Sequence, residues 1–176
     1  QLQVAAAAEM PTLRQFDAAG KLLPAGTDPA KIARSEYEIR IRPGIRYQPH
    51  PAFALDAAGK PVYLDLPLEV VATKRSLADF PQTGTRELTA EDYIYQIKRL
   101  AHPRLHSPVL ELMGDYIVGL KDLHARLVAD EKARGAKGEG GGWIDLRNYP
   151  MAGVELVDRY TYRVHIKGTY PQFPYW

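Results

Sequence analysis

Two stretches of the chain alternate apolar and polar residues with the period of a β-strand. In Glu36–Arg42, "EYEIRIR", Tyr37, Ile39 and Ile41 point one way and Glu38, Arg40 and Arg42 the other. In Tyr160–Lys167, Tyr160, Tyr162, Val164 and Ile166 share a face, with Thr161, Arg163, His165 and Lys167 opposite. Each predicts a strand buried on one side. A shorter apolar strand is expected at Val154–Val157, joined to the second by a tight turn at Asp158-Arg159. Pro43-Gly44 predicts a turn into a short return at Ile45–Tyr47. The pentapeptide "DAAGK" occurs twice, at Asp17–Lys21 and Asp56–Lys60, with unrelated flanks. Asp opens a turn through its carboxylate and Gly supplies a positive φ, so both read as hairpin turns rather than a repeat. They would pair Leu13–Phe16 with Lys21–Leu23, and Phe53–Leu55 with Pro61–Leu64.

Between these strands the period changes to that of a helix. Thr89 is the expected N-cap, Asp92 completes a capping box, and Leu88 with Tyr93 occupies the positions of a hydrophobic staple. Ala90, Tyr93, Ile94, Ile97 and Leu100 form the apolar stripe; Glu91, Gln96, Lys98 and Arg99 are expected in solvent, and Pro103 ends the element. A second helix is expected to start at Ser107-Pro108 and turn Val109, Leu112, Met113, Tyr116 and Ile117 inward, with Gly119 ending or bending it. A third covers about Leu120–Arg134, with Leu120, Leu123, Leu127 and Val128 on one side. Residues 135–142, "GAKGEGGG", hold five glycines in eight positions and read as a flexible loop. Strands and helices of this kind make the fold class α+β: a mixed or antiparallel sheet with about three helices packed on it.

The 176 residues, 45% of them hydrophobic, are enough for one domain with a core. A net charge of +2 argues against an electrostatic machine for nucleic acid or anionic lipid. Without cysteine, disulfides, thiolate catalysis and Cys-ligated zinc are excluded, while the redox compartment stays open. No apolar run approaches the length of a membrane span, and Val4–Ala8 lacks the basic flank of a secretory signal. The abrupt start and the aromatic end, "TYPQFPYW", predict an excised segment of a longer protein.

Each chemical motif has a simpler structural reading. The glycine-rich loop follows a helix rather than a strand and lacks the Lys-Ser/Thr of a phosphate loop. His102 and His106 have helical metal-ligand spacing, but Pro103 lies between them and no third ligand completes a zinc set; surface placement accounts for all five histidines. Ser107 is better explained by capping than by nucleophilic catalysis, and Glu91-Asp92 by the first turn of a helix than by paired carboxylates. The expected sites are therefore catalytic none, cofactor none and metal none. The C-terminal aromatics suit either a stacking platform or burial.

Three stretches, in order, resemble the early part of the family 5 extracellular solute-binding proteins, the oligopeptide, dipeptide and nickel-complex receptors of ABC importers. They are "YEIRIRPGIRY" (Tyr37–Tyr47), "LTAEDYIYQIKRL" (Leu88–Leu100) and "GVELVDRYTYRVHIKGTYPQF" (Gly153–Phe173). The resemblance implies that residues 1–176 are one fragment of the first lobe of a two-lobed periplasmic binding protein. Relative to the family pattern, residues 48–87 are an insertion-like segment. It further implies capture of a peptide or similar small solute by the full-length protein, an ABC permease in the membrane as partner, no nucleic acid and no enzymatic activity. The implied location is periplasmic or extracellular, with a lipid anchor as one means of attachment. Phe173, Tyr175 and Trp176 are the expected residues nearest the ligand cleft. The competing reading is a free-standing protein- or nucleic-acid-interaction module with an aromatic and basic sheet face. An enzyme would require His102, His106 and a carboxylate to converge.

Overall fold

The computed structural model describes residues 5–64, 66–138 and 142–175. In chain order its regular elements are β1 (Thr12–Phe16), β2 (Arg34–Arg40), α1 (Leu68–Val71), α2 (Ala90–Arg99), α3 (Leu110–Tyr116), α4 (Leu120–Ala136), β3 (Val154–Asp158) and β4 (Thr161–Lys167). They divide between two units, one built from residues 1–42 and 89–176 and the other from residues 43–88. The expected insertion-like segment, 48–87, falls inside the second.

The first unit is α+β. Its four strands form one antiparallel sheet in the order β1-β2-β4-β3. Both alternating stretches are central: Tyr37 opposes Val164 and Ile39 opposes Tyr162. Tyr37, Ile41, Tyr162, Val164 and Ile166 are buried on this shared face. Residues 6–8 continue the β1 side along β2, with Arg42 N–H donating to Ala6 O at 2.9 Å and Ala8 N–H to Arg40 O at 2.7 Å. On the far side, Ile117 bridges Ile166, so the end of α3 extends the edge beyond β3. This close approach requires a glycine at position 153. A Cβ there would overlap the Val118 carbonyl oxygen and lie 2.9 Å from Ile117 Cγ2.

Helix α2 packs on β3 and β4. The capping box between Thr89 and Asp92 starts it, with the Asp92 carboxylate accepting from Thr89 N–H at 2.8 Å. Ala90 and Ile94 are buried as the stripe predicts. Lys98, expected in solvent, is buried as well. Its aliphatic stem allows this while the amine donates to Leu146 O at 3.2 Å. Ser107-Pro108 does not cap α3. Ser107 O accepts from Leu110 N–H at 3.2 Å in a turn, and the helix begins two residues later than expected. Gly119, with φ 75°, separates α3 from α4. Leu120, Leu123 and Leu127 are fully buried. Leu112 and Val128 are exposed against expectation, the buried positions being Met113 and Gly114 on α3 and Leu120, Leu123 and Leu127 on α4. Helix α4 runs to Ala136, two residues past the expected end; residues 139–141 of the glycine-rich loop lie outside the described residues.

The β3–β4 turn is Arg159-Tyr160 rather than Asp158-Arg159. Asp158 pairs with Thr161 after a register shift, and its carboxylate accepts from Tyr160 N–H at 2.7 Å. Both DAAGK turns form as predicted. The Asp17 carboxylate accepts from Ala19 and Lys21 N–H, and Asp56 from Ala58 and Lys60 N–H. Beyond the first turn only Phe16 and Leu22 form a bridge, and the full partner of β1 is β2.

The second unit has little regular structure. Ile45–Tyr47 pairs with Arg86–Leu88 rather than returning on the preceding strand: Tyr47 N–H donates to Arg86 O at 3.0 Å and Leu88 N–H to Ile45 O at 2.8 Å. Two aromatic groups hold this unit. Tyr47 and Phe53 meet at 5.1 Å beneath the Arg86 guanidinium, and Tyr63 and Phe80 meet edge-on at 5.0 Å. Most of its large aliphatic residues, including Leu55, Leu64, Leu68 and Leu77, are exposed.

Thr89→Ala is expected to lower unfolding stability by ~1 kcal/mol through the lost cap. Gly153→Ala should cost more, ~1–3 kcal/mol, because a packed backbone must shift. Urea denaturation of the two variants tests both, and a smaller loss at Gly153 than at Thr89 would contradict the assigned roles.

Candidate functional site

Between the inner sheet face and the helices of the first unit lies an apolar cavity of about 540 Å³. Ile39, Ile41 and Val164 line it from the sheet, Ile97 from α2, Met113 from α3, and Phe173 from the C-terminal segment. Tyr93 on α2 stacks on Tyr162 of β4 at 5.4 Å with the rings 12° apart. Burial pushes both phenols above their ordinary pKa, Tyr162 the further, so neither is a source of protons or charge near neutrality.

The C-terminal segment is held to the sheet by polar and aromatic contacts. Ser35 Oγ donates to Gly168 O at 2.6 Å, and Tyr37 OH donates to Tyr170 O at 3.4 Å. Tyr170 stacks on Tyr116 at 4.2 Å, and Phe173 meets Tyr37 at 4.7 Å. Of the three residues expected near a ligand, Phe173 reaches the cavity and Tyr175 belongs to the backbone turn Phe173–Tyr175. Trp176 lies outside the described residues. The other cavity residues come from the N-terminal segment, β2, α2, α3, β4 and the residues beside them, and no local motif announces that they meet.

The opposite face of the sheet is ionic. Across the strands run Arg14, Glu36 and His165 in one row and Glu38, Arg163 and Glu155 in another. Glu38 Oε2 accepts from Arg14 Nη2 and from Arg163 Nε, each at 2.7 Å. Arg163 Nη1 also donates to Glu155 Oε1 at 3.2 Å. Arg14 and Arg163 are thus engaged by carboxylates, and Tyr37 and Tyr162 are buried on the other face.

His165 is not a surface histidine, contrary to expectation. Its side chain is 12% exposed, with Nδ1 3.6 Å from Glu36 Oε2 and Nε2 3.8 Å from Glu155 Oε2. Nδ1 is buried without a hydrogen-bond partner. Burial depresses the pKa; Glu36 and Glu155 oppose this, while Arg34 and Arg163 reinforce it. His124 is also half-buried, its Nδ1 2.9 Å from Ala101 O. His102 and His50 cap short helical turns, their Nδ1 atoms accepting from Arg104 and Ala52 N–H. His106 sits at φ 45° just after the His102 turn. Among the described residues no three His, Asp or Glu side chains gather as metal ligands, and no helix is long and apolar enough to cross a membrane. Asp92 serves the helix cap, and Ser107 contributes its carbonyl to a turn. The arrangement can enclose an apolar group, and its charged face can hold strands in register.

No protein-family model, curated protein or solved structure matches the chain.

The His165 environment predicts a pH dependence. Because the folded state favours the neutral ring, the unfolded chain binds more protons as acid is added. The stabilisation is therefore present above the ordinary histidine pKa of about 6.5 and is lost as pH falls through that value toward the depressed one. In urea melts between roughly pH 7 and 5, His165→Gln should lose less stability than the wild type. Equal slopes would remove His165 as a cause.

Proposed function

We propose that this chain forms part of the first lobe of a family 5 solute-binding protein. The whole receptor captures a peptide or similar small solute outside the cytoplasm and delivers it to an ABC permease, with no catalytic step of its own. The observation that carries this reading is the meeting of residues from all three resembling stretches in one unit. Tyr37–Arg40 pairs with Thr161–Val164, the Val154–Asp158 strand pairs on the far side, and the Thr89-capped helix packs on that sheet. Their characteristic residues serve pairing, capping and core packing. A stretch can resemble its family in this way without contributing a ligand contact. The solute then belongs between lobes, where Phe173, Tyr175 and Trp176 are the segment of this chain assigned to approach it.

Native mass spectrometry on the protein carrying its native flanking coding sequence tests the reading. The longer protein should retain a peptide that is released on denaturation, and the 176-residue chain alone should retain no peptide. Peptide held tightly by the short chain, or a longer protein that retains nothing from a mixed peptide pool, would overturn it.

A further inference from the structure

Lys98 has a place in the fold that the packing of α2 does not account for. The residue is 8% exposed, yet its amine makes one hydrogen bond, to Leu146 O at 3.2 Å. Among the described residues no ion pair reaches it. An ammonium carries three N–H donors, so two remain to be satisfied in a largely desolvated position. Lys98 also lines a pocket of about 290 Å³ bounded by α2, β3 and the residues before β3. Ile94, Met151, Val154 and Leu156 supply hydrocarbon wall, and Glu91, two turns earlier on the same face of α2, shares the lining. Arg147 borders the pocket too, but its guanidinium is committed to Asp145, with Nη2 2.6 Å and Nε 2.9 and 3.0 Å from the carboxylate oxygens.

We propose that this pocket binds a small monocarboxylate with a short apolar tail, its oxygens accepting the two spare N–H groups of Lys98 and its tail covering Met151, Val154 and Leu156. Water alone satisfies the amine but not the hydrocarbon wall; a carboxylate with a tail satisfies both. The single uncommitted cation and the Glu91 charge in the lining select a monoanion over a dianion such as a phosphate or dicarboxylate. Burial holds the Lys98 amine below its ordinary pKa, with Glu91 and Asp145 opposing the shift, so a bound anion also restores the stability of the charged form. This site is separate from the cavity at Phe173 and does not depend on the transport reading.

The test is a ¹H–¹⁵N NMR titration of the 176-residue chain with sodium hexanoate. Saturable shifts are expected on α2 around Lys98 and near Met151–Val154. Lys98→Met should weaken binding at least ~10-fold, Glu91→Gln should tighten it, and succinate and hexanol should both bind more weakly than hexanoate. Undiminished binding by Lys98→Met, or shifts centred on Phe173, would overturn the proposal. Should Lys98→Met fail to fold, the wild-type comparison decides: hexanol binding as well as hexanoate, or no saturable response to hexanoate, overturns it equally.

Discussion

The antiparallel pairing of residues 34–40 with residues 161–167 is the constraint on which the first unit rests. It brings together two alternating stretches from distant parts of the chain and creates two unlike surfaces at once. Inward, Tyr37, Ile41, Val164 and Ile166 lose nearly all contact with water. Each such side chain contributes ~1.5–3 kcal/mol on full burial. Outward, carboxylates and guanidinium groups alternate across the strands. Partly exposed ion pairs stabilise little, so the apolar face supplies stability and the ionic face supplies discrimination. A slip of one residue would turn Glu36 and Arg163 toward the helices.

That division also shows in how several of the unit's polar groups are engaged. Asp92 is spent on a helix cap, His102 on a short turn, Glu38 on two arginines, and Asp145 on Arg147. The cavity beside Phe173 is correspondingly hydrocarbon in character, with tyrosine rings stacked at its edge.

Local rules made much of this legible. Period-two alternation located both central strands and assigned their buried faces. The Thr-x-x-Asp pattern located the start of α2 to the residue, and the two Asp-Ala-Ala-Gly-Lys turns formed with the expected carboxylate bonds. What stayed hidden was identity of partner. Alternation states that Thr12–Phe16 has a sheet face but cannot say that β2, rather than Lys21–Leu23, supplies its ladder. Lys98 and His165 carry polar labels, and only the arrival of the Leu146 turn over one and of β2 and β3 around the other buries them. Ser107-Pro108 has the composition of a helix start, yet the chain makes one further turn before α3. The cavity was not visible, because its walls meet solely as tertiary neighbours.

The position of β4 in the middle of the sheet bears on how the chain comes into being. At translation speeds of 5–20 residues per second, roughly 6–25 s separate the synthesis of β2 from that of its inner neighbour. Throughout that interval the nascent β1–β2 ribbon has an open rim without its strand partner. A chain wired this way cannot close its core piece by piece as it leaves the ribosome, and this unit stays pliable until its fourth strand has been made.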